Sequence, residues 1–150
     1  MSTNISFQRI VLVKESAHRY KINRKITEPA DAVVAFNSIY HMNEESQELF
    51  AVLFLNVRNV IVGVHLIGMG SVDSAVAHPR EVFKAALLYN ASNILVAHNH
   101  PSGDVNPSRE DDVLTKQLTQ AGKILGIPVL DHVIIGDDSF YSYREENRLE

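Results

Sequence analysis

The feature that most constrains this chain is an apolar run, Ile94-Leu-Val-Ala97, that passes without a break into His98-Asn-His-Pro-Ser-Gly103 and then reaches Pro107-Ser108-Arg-Glu-Asp111. A short apolar run bounded by turn residues reads as a buried strand. Pro101-Ser-Gly103 turns the chain. Ser108 then stands ahead of Val113, Leu114, Leu118, Ala121 and Leu125 at helical spacing, in a helix that Gly126 and Pro128 stop. The chain must therefore make a strand–turn–helix unit. Successive strand side chains alternate faces, so His98 and His100 project together and Asn99 opposite. At a rise of about 3.3 Å per residue their α-carbons lie about 6.6 Å apart, close enough for two imidazoles to share one ion.

The turn brings Asp111 back toward that pair, where a strand end meets a helix N-terminus. His98, His100 and Asp111 then supply three ligands of a tetrahedral divalent metal and leave a fourth position for water. That is the arrangement of a catalytic zinc site, because structural zinc is normally closed by four protein ligands. A structural explanation competes with this one. Ser108-x-x-Asp111 is also a helix-capping pattern, and an H-x-H pair alone arises often by chance. The whole set favours the metal, since two histidines directly after an apolar strand are costly to bury without partners.

The remaining pattern fits one sheet with flanking helices. Ile10 to Val13 reads as a first short strand, and Thr27-Glu28-Pro29 as the cap and first turn of a helix striped by Ala30, Val33, Val34, Phe36 and Ile39. His41 to Gln47 is a polar loop. Leu49 to Leu55 and Val60 to Ile67 read as paired strands around an Asn56–Asn59 turn, with Gly68-Met-Gly70 breaking the pattern. His78-Pro79 opens a helix, and Val129 to Ile135 and Phe140 to Tyr143 read as closing strands. The expectation is an α/β (α+β) domain with a single mixed sheet, divided as 1–26, an N-terminal strand and polar extension, and 27–150, the compact body.

At 150 residues with no cysteine, the chain is sized for one core that needs no disulfide. The lack of Cys excludes thiolate metal sites and points to a reducing or indifferent compartment. With no signal peptide at Met1-Ser-Thr-Asn-Ile-Ser and no membrane-length apolar run, the expected location is cytoplasmic. A formal net charge of −4 argues against direct nucleic-acid binding. The thin basic cluster Arg19, Lys21, Arg24 and Lys25 reads as a solvated loop or strand edge.

His98-x-His100, seven residues, Ser108, two residues, Asp111 resembles the H-x-H-x₇-S-x₂-D signature of the JAMM, or MPN+, metalloproteases. The resemblance is closer to the RadC-like branch, through His78-Pro-Arg-Glu-Val-Phe83, His98-Asn-His-Pro-Ser-Gly103, Pro107-Ser108 and Leu130-Asp-His-Val-Ile-Ile135. It runs from about Thr27 to the C-terminus. It implies a deaminase-like mixed-sheet JAB/MPN architecture and one Zn²⁺ on His98, His100 and Asp111. It also implies a general base on an earlier strand. By position alone Glu44, Glu45 and Glu48 all qualify, and the resemblance of Glu48-Leu-Phe-Ala-Val-Leu-Phe-Leu55 to the segment carrying this glutamate selects Glu48. Ser108, by the same resemblance, donates to the oxyanion. His78 and His132 read as structural histidines, and the resemblance allows them a substrate-positioning or supporting role.

The implied activity is hydrolysis of peptide or isopeptide bonds in a peptide or protein substrate. Relatives carry an N-terminal helix-hairpin-helix region or ubiquitin-gripping insertions that this sequence is expected to lack. The competing reading is a non-enzymatic binding module in DNA repair or recombination, the setting associated with RadC-like proteins. Retention of Glu48 beside all three ligands favours the enzyme. A nucleobase deaminase would need H-x-E and P-C-x-x-C, and this chain has neither.

Overall fold

A computed structural model describes residues 5–6, 9, 11–14, 16–70 and 77–149. Its elements are α1 (Pro29–Tyr40), β1 (Glu48–Leu55), β2 (Ile61–Gly70), α2 (Pro79–Leu88), β3 (Asn93–Asn99), α3 (Arg109–Leu125), β4 (Val129–Ile135) and β5 (Phe140–Ser142). The strands form one mixed sheet in the order β2-β1-β3-β4-β5. Only β3 and β4 run parallel, joined by α3 as a crossover of the kind parallel pairing requires. The expected fold class is the observed one.

Alternation along the central strands builds two apolar layers. Leu49, Ala51, Leu53 and Leu55 of β1 meet Leu95 and Ala97 of β3 under Ala32, Ala35 and Phe36 of α1. Phe50, Val52 and Phe54 meet Ile94 and Val96 under Val82, Phe83 and Ala86 of α2 and Leu118 of α3. Each fully buried Leu or Phe contributes about 1.5–3 kcal/mol, so the folded state has two apolar layers to draw on without a staple. His98 belongs to the second layer by parity and Asn99 to the first.

Three expectations need correction. Val11, Leu12 and Val13 form no strand and are 58%, 49% and 73% exposed, with no strand partner among the described residues; Ile10 lies outside the described residues. Gly68 does not break β2, which runs on to Gly70. Phe50 faces Gly68, Leu49 faces Met69 and Glu48 faces Gly70, so the ladder to β1 carries the strand on past an irregularity opposite Phe50 and Ala51. The cap of α1 is Glu28, one residue later than the sequence suggested. Thr27 instead donates its hydroxyl to Asp31 Oδ2 at 2.6 Å, and the same oxygen accepts the Thr27 N–H at 2.8 Å.

The other signals hold. Ser108 caps α3, Gly126 ends it at φ 69°, and Glu110, Asp111 and Asp112 fill its first turn, where negative charge suits the helix dipole. Asn147 adopts φ 54°, a left-handed conformation that Asn tolerates. Arg24 donates to the Ile61 carbonyl and Lys25 bridges Val60, so the basic cluster flanks the start of β2. No described helix is long and apolar enough to cross a membrane.

Candidate metal centre

The C-terminal end of β3 carries the site. His98 pairs with Phe50 of β1 and Ile134 of β4, and its ring stacks on Phe50 with centroids 6.1 Å apart. His100 follows in the same direction, its N–H held by the Ile135 carbonyl at 2.9 Å. The chain then turns, Gly103 N–H bonding back to His100 O at 2.9 Å with Gly103 at φ 78°. The loop returns to α3, whose first turn presents Asp111.

These three side chains converge. His98 Nε2 lies 3.0 Å from His100 Nε2 and 3.1 Å from Asp111 Oδ1, and His100 Nε2 lies 3.5 Å from Asp111 Oδ2. A tetrahedral ion with bonds of about 2.0–2.1 Å has ligand-to-ligand edges of about 3.3–3.4 Å. The two His98 separations fall a few tenths of an ångström short of that edge, and His100 approaches Asp111 on its other oxygen, Oδ2. His98, His100 and Asp111 thus form a group able to bind a metal ion.

The hydrogen bonds behind the ligands show which lone pairs face inward. His100 Nδ1 sits 2.6 Å from the Asp104 carbonyl, which can only accept, so that nitrogen carries a proton and Nε2 is the atom that faces His98 and Asp111. His98 turns Nδ1 toward His132 Nε2 at 2.8 Å and Nε2 toward the other ligands. Asp111 Oδ2 accepts the Ser108 N–H and hydroxyl, each at 2.7 Å, which leaves Oδ1 toward His98. A carboxylate and ring nitrogens at such separations need a cation or a shared proton between them. Without metal, burial pushes the Asp111 carboxyl up, but hydrogen bonds from His100 and His98 outweigh this and hold it far below its usual range. The Asp111 hydrogen bond raises His100 in turn, against burial. Burial, then the charge of His98, pushes His132 well down.

Glu48 opens β1 half-buried, on the same strand face as Phe50. Extending the Phe50–His98 register by two residues sets Glu48 opposite His100, and its charge contributes to raising His100. Asn99 fixes this end of β1 from the far face. Its amide accepts Leu49 N–H at 2.7 Å and donates to Gln47 O at 3.0 Å and Glu45 O at 3.3 Å, so Glu48 is clamped on both sides. Glu44 and Glu45 are exposed loop residues. His78 caps α2, accepting Arg80 N–H on Nδ1 at 3.1 Å.

The model of the RadC-like JAB domain family matches residues 26–148. The chain belongs to that family. It is 50% identical over 121 residues to a UPF0758 protein of Staphylococcus carnosus, covering 81% of this chain and 53% of that one. UPF0758 protein TTE0897 of Caldanaerobacter subterraneus subsp. tengcongensis is 49% identical over 124 residues, covering 83% and 52%. A UPF0758 protein of Methanosarcina mazei is 43% identical over 124 residues, covering 82% and 53%. The chain spans about half the length of the curated relatives it matches.

In this RadC-like JAB domain the sequence reading missed the residues that hold the site in place. Asn99 lies between the two histidines with no period to mark it. Thr115 is four residues beyond Asp111 on the same helix face, the one signal that could have found it. The Asp104 contact to His100 uses a backbone carbonyl, which no side-chain pattern reveals. A depression of about 270 Å³ lined by Lys25, Glu28, Asn59, Asp131 and Arg144 opens at the opposite end of the sheet. Its buried carboxylate, Asp131, is already satisfied by Ser142 Oγ and the N–H groups of His132 and Arg144.

Proposed function

We propose that this chain is a zinc-dependent hydrolase of peptide or isopeptide bonds, with His98, His100 and Asp111 holding the ion. The observation that carries the reading is the convergence of one ligand atom from each of the three residues within 4.8 Å of one another, with both imidazole Nδ1 atoms and Asp111 Oδ2 bonded to the surrounding protein. A set of two imidazoles and one carboxylate with tetrahedral edges suits Zn²⁺ and leaves a position open. Bound zinc supplies a Lewis acid that acidifies water toward neutrality and polarises a carbonyl oxygen.

The chain's own groups supply the rest. Glu48, opposite His100 at the strand mouth, accepts a proton from the attacking water and returns it to the leaving nitrogen. Ser108 gives up its hydrogen bond to Asp111 Oδ2 and donates to the oxygen on which negative charge develops. Asn99 holds Glu48 in place. The substrate is a peptide or protein, and the cysteine-free composition suits the cytoplasm.

The test is a peptide and isopeptide library digested by zinc-loaded protein beside Glu48→Gln, with mass-spectrometric readout and zinc content measured in parallel. Cleavage by the wild type and none by the zinc-loaded variant is expected. Equal product from both would overturn the reading. Tight, salt-sensitive binding of duplex DNA with no cleavage would favour a repair-associated binding module instead.

A further inference from the structure

Behind the candidate metal centre lies a ring of hydrogen bonds whose direction can be worked out group by group. The Asp111 backbone carbonyl can only accept, so the Thr115 hydroxyl 2.7 Å away donates to it. With its one proton spent, Thr115 Oγ1 can only accept at His132 Nδ1, 2.7 Å away, and that nitrogen must carry a proton. An imidazole neutral and protonated on Nδ1 has a bare Nε2. Its lone pair accepts the Nδ1 proton of His98 at 2.8 Å. His98 therefore keeps Nε2 as its metal-facing atom, 3.1 Å from Asp111 Oδ1.

We propose that His132 is a positioning residue for the metal, taking its polarity from the α3 backbone through Thr115 and fixing His98 with its Nε2 lone pair aimed at the ion. The ring begins and ends on ligands. It leaves Asp111 at its main chain, crosses Thr115 and His132, and reaches His98, so it ties α3 to β3 through β4. His132 is fully buried and Thr115 is 2% exposed, which leaves the ring to be closed by the protein's own groups. The His132 ring is also held in plane. Tyr143 stacks on it with centroids 5.1 Å apart at 11°, and Phe50 meets it edge-on at 5.7 Å and 62°. Tyr143 is anchored by donating to Asp112 Oδ1 at 2.9 Å.

The inference rests on the reading of His98, His100 and Asp111 as metal ligands. It adds that the sign of every hydrogen bond in the ring is dictated by one backbone carbonyl. Partners that orient a metal-bound imidazole typically weigh about 10–100-fold in metal affinity.

Two measurements test it. Long-range ¹H–¹⁵N correlation spectra of the full chain, metal-free and with one equivalent of Zn²⁺, report which ring nitrogens are protonated. His132 is expected with its proton on Nδ1 and a bare Nε2 in both states, and a proton on His132 Nε2 would overturn the proposal. Zn²⁺ affinity is then measured by chelator competition on Thr115→Ser, Thr115→Val, His132→Gln and His132→Leu, each checked for a folded spectrum. Serine keeps the donor and acceptor and should keep wild-type affinity, whereas valine should lose about 10–100-fold. Glutamine can still accept from His98 and should bind more tightly than leucine. A folded leucine or valine variant with wild-type affinity would sink the idea. If the leucine variant does not fold, the serine–valine pair decides. Should wild-type protein take up no Zn²⁺, the proposed function fails and the positioning role with it, whereas wild-type Zn²⁺ uptake with the His132 proton on Nε2 overturns the positioning role alone.

Discussion

Alanine at Gly136 should loosen the metal centre without touching a ligand. Gly136 follows β4 directly, with its N–H held by Ser139 O at 2.9 Å. A Cβ at this position would come within 2.6 Å of the Gly103 carbonyl oxygen and 2.8 Å of Val105 Cγ1. Carbon-to-oxygen contacts settle at about 3.3–3.6 Å, so the loop must retreat by about 0.7–1.0 Å. The residue after Gly103 is Asp104, whose carbonyl holds His100 Nδ1 at 2.6 Å. A retreat of that size, if it runs away from His100, carries the bond past the outer limit of about 3.2 Å and frees the imidazole to turn. The expected loss in Zn²⁺ affinity is about 10–100-fold, with an overpacking cost of about 1–3 kcal/mol to the metal-free fold. Gly126→Ala is the control. It has φ 69° and nothing within 4 Å, so it should pay about 1–2 kcal/mol of backbone strain and leave zinc affinity alone. Chelator competition and thermal unfolding, run on both variants, separate the two effects. If Gly136→Ala melts earlier yet binds zinc like the wild type, the loop does not transmit to His100 and the reasoning is wrong.

Glu48→Gln should retain zinc and lose about 10²–10⁴-fold in turnover, because the amide is nearly isosteric but takes no proton at neutral pH; wild-type turnover would move the base elsewhere. Asn99→Ala should cost about 1–3 kcal/mol for the backbone groups it leaves unsatisfied. It should also lower turnover more than zinc content, read as rate beside metal stoichiometry, since it frees Glu48 and not the ligands. For the metal-free protein, the raised His100 contributes stability fully present below its ordinary 6.5 and lost as pH rises through its higher folded value. The lowered Asp111 contributes stability above its ordinary 3.8, lost as pH falls through its lower folded value. Their joint contribution should therefore be largest between those two ordinary values. Zinc must displace the proton that stabilises His100, so its affinity should rise with pH through and above 6.5, with proton release visible by calorimetry in buffers of different ionisation enthalpy. Pulling against both signs, an affinity that falls as pH rises over that range would remove His100 from the ligand set.

What could be read from the sequence was local. The strand–turn–helix unit from Ile94 to Gly126 rests on an apolar run, a turn-forming Pro-Ser-Gly, a serine cap and a glycine stop, each acting within a few residues of itself. The structure reproduces them at Asn93–Asn99, Ser108 and Gly126. The failures depended on distant partners. Val11–Val13 has the composition of a strand but no strand beside it among the described residues, and Gly68–Gly70 has the composition of a break but a ladder to Glu48–Phe50 that overrides it. Propensity in a sheet is mostly a statement about neighbours, which the sequence does not display.

The same division runs through the site. The H-x-H pair and the capping pattern place the candidate ligands because strand and helix geometry fix their directions. The residues that decide which lone pairs face inward are thinly signalled. His132 sits 34 residues from His98 on a parallel strand, and the Asp104 contact is made by main chain. The capping reading of Ser108 and Asp111 and the ligand reading of Asp111 also turn out to be compatible. Ser108 bonds Oδ2 while Oδ1 faces His98, and His100 approaches Oδ2 at 3.5 Å, so one carboxylate both starts the helix and faces the two histidines. A helix cap fixes a carboxylate to within a hydrogen-bond length, and a metal ligand gains from that same restraint.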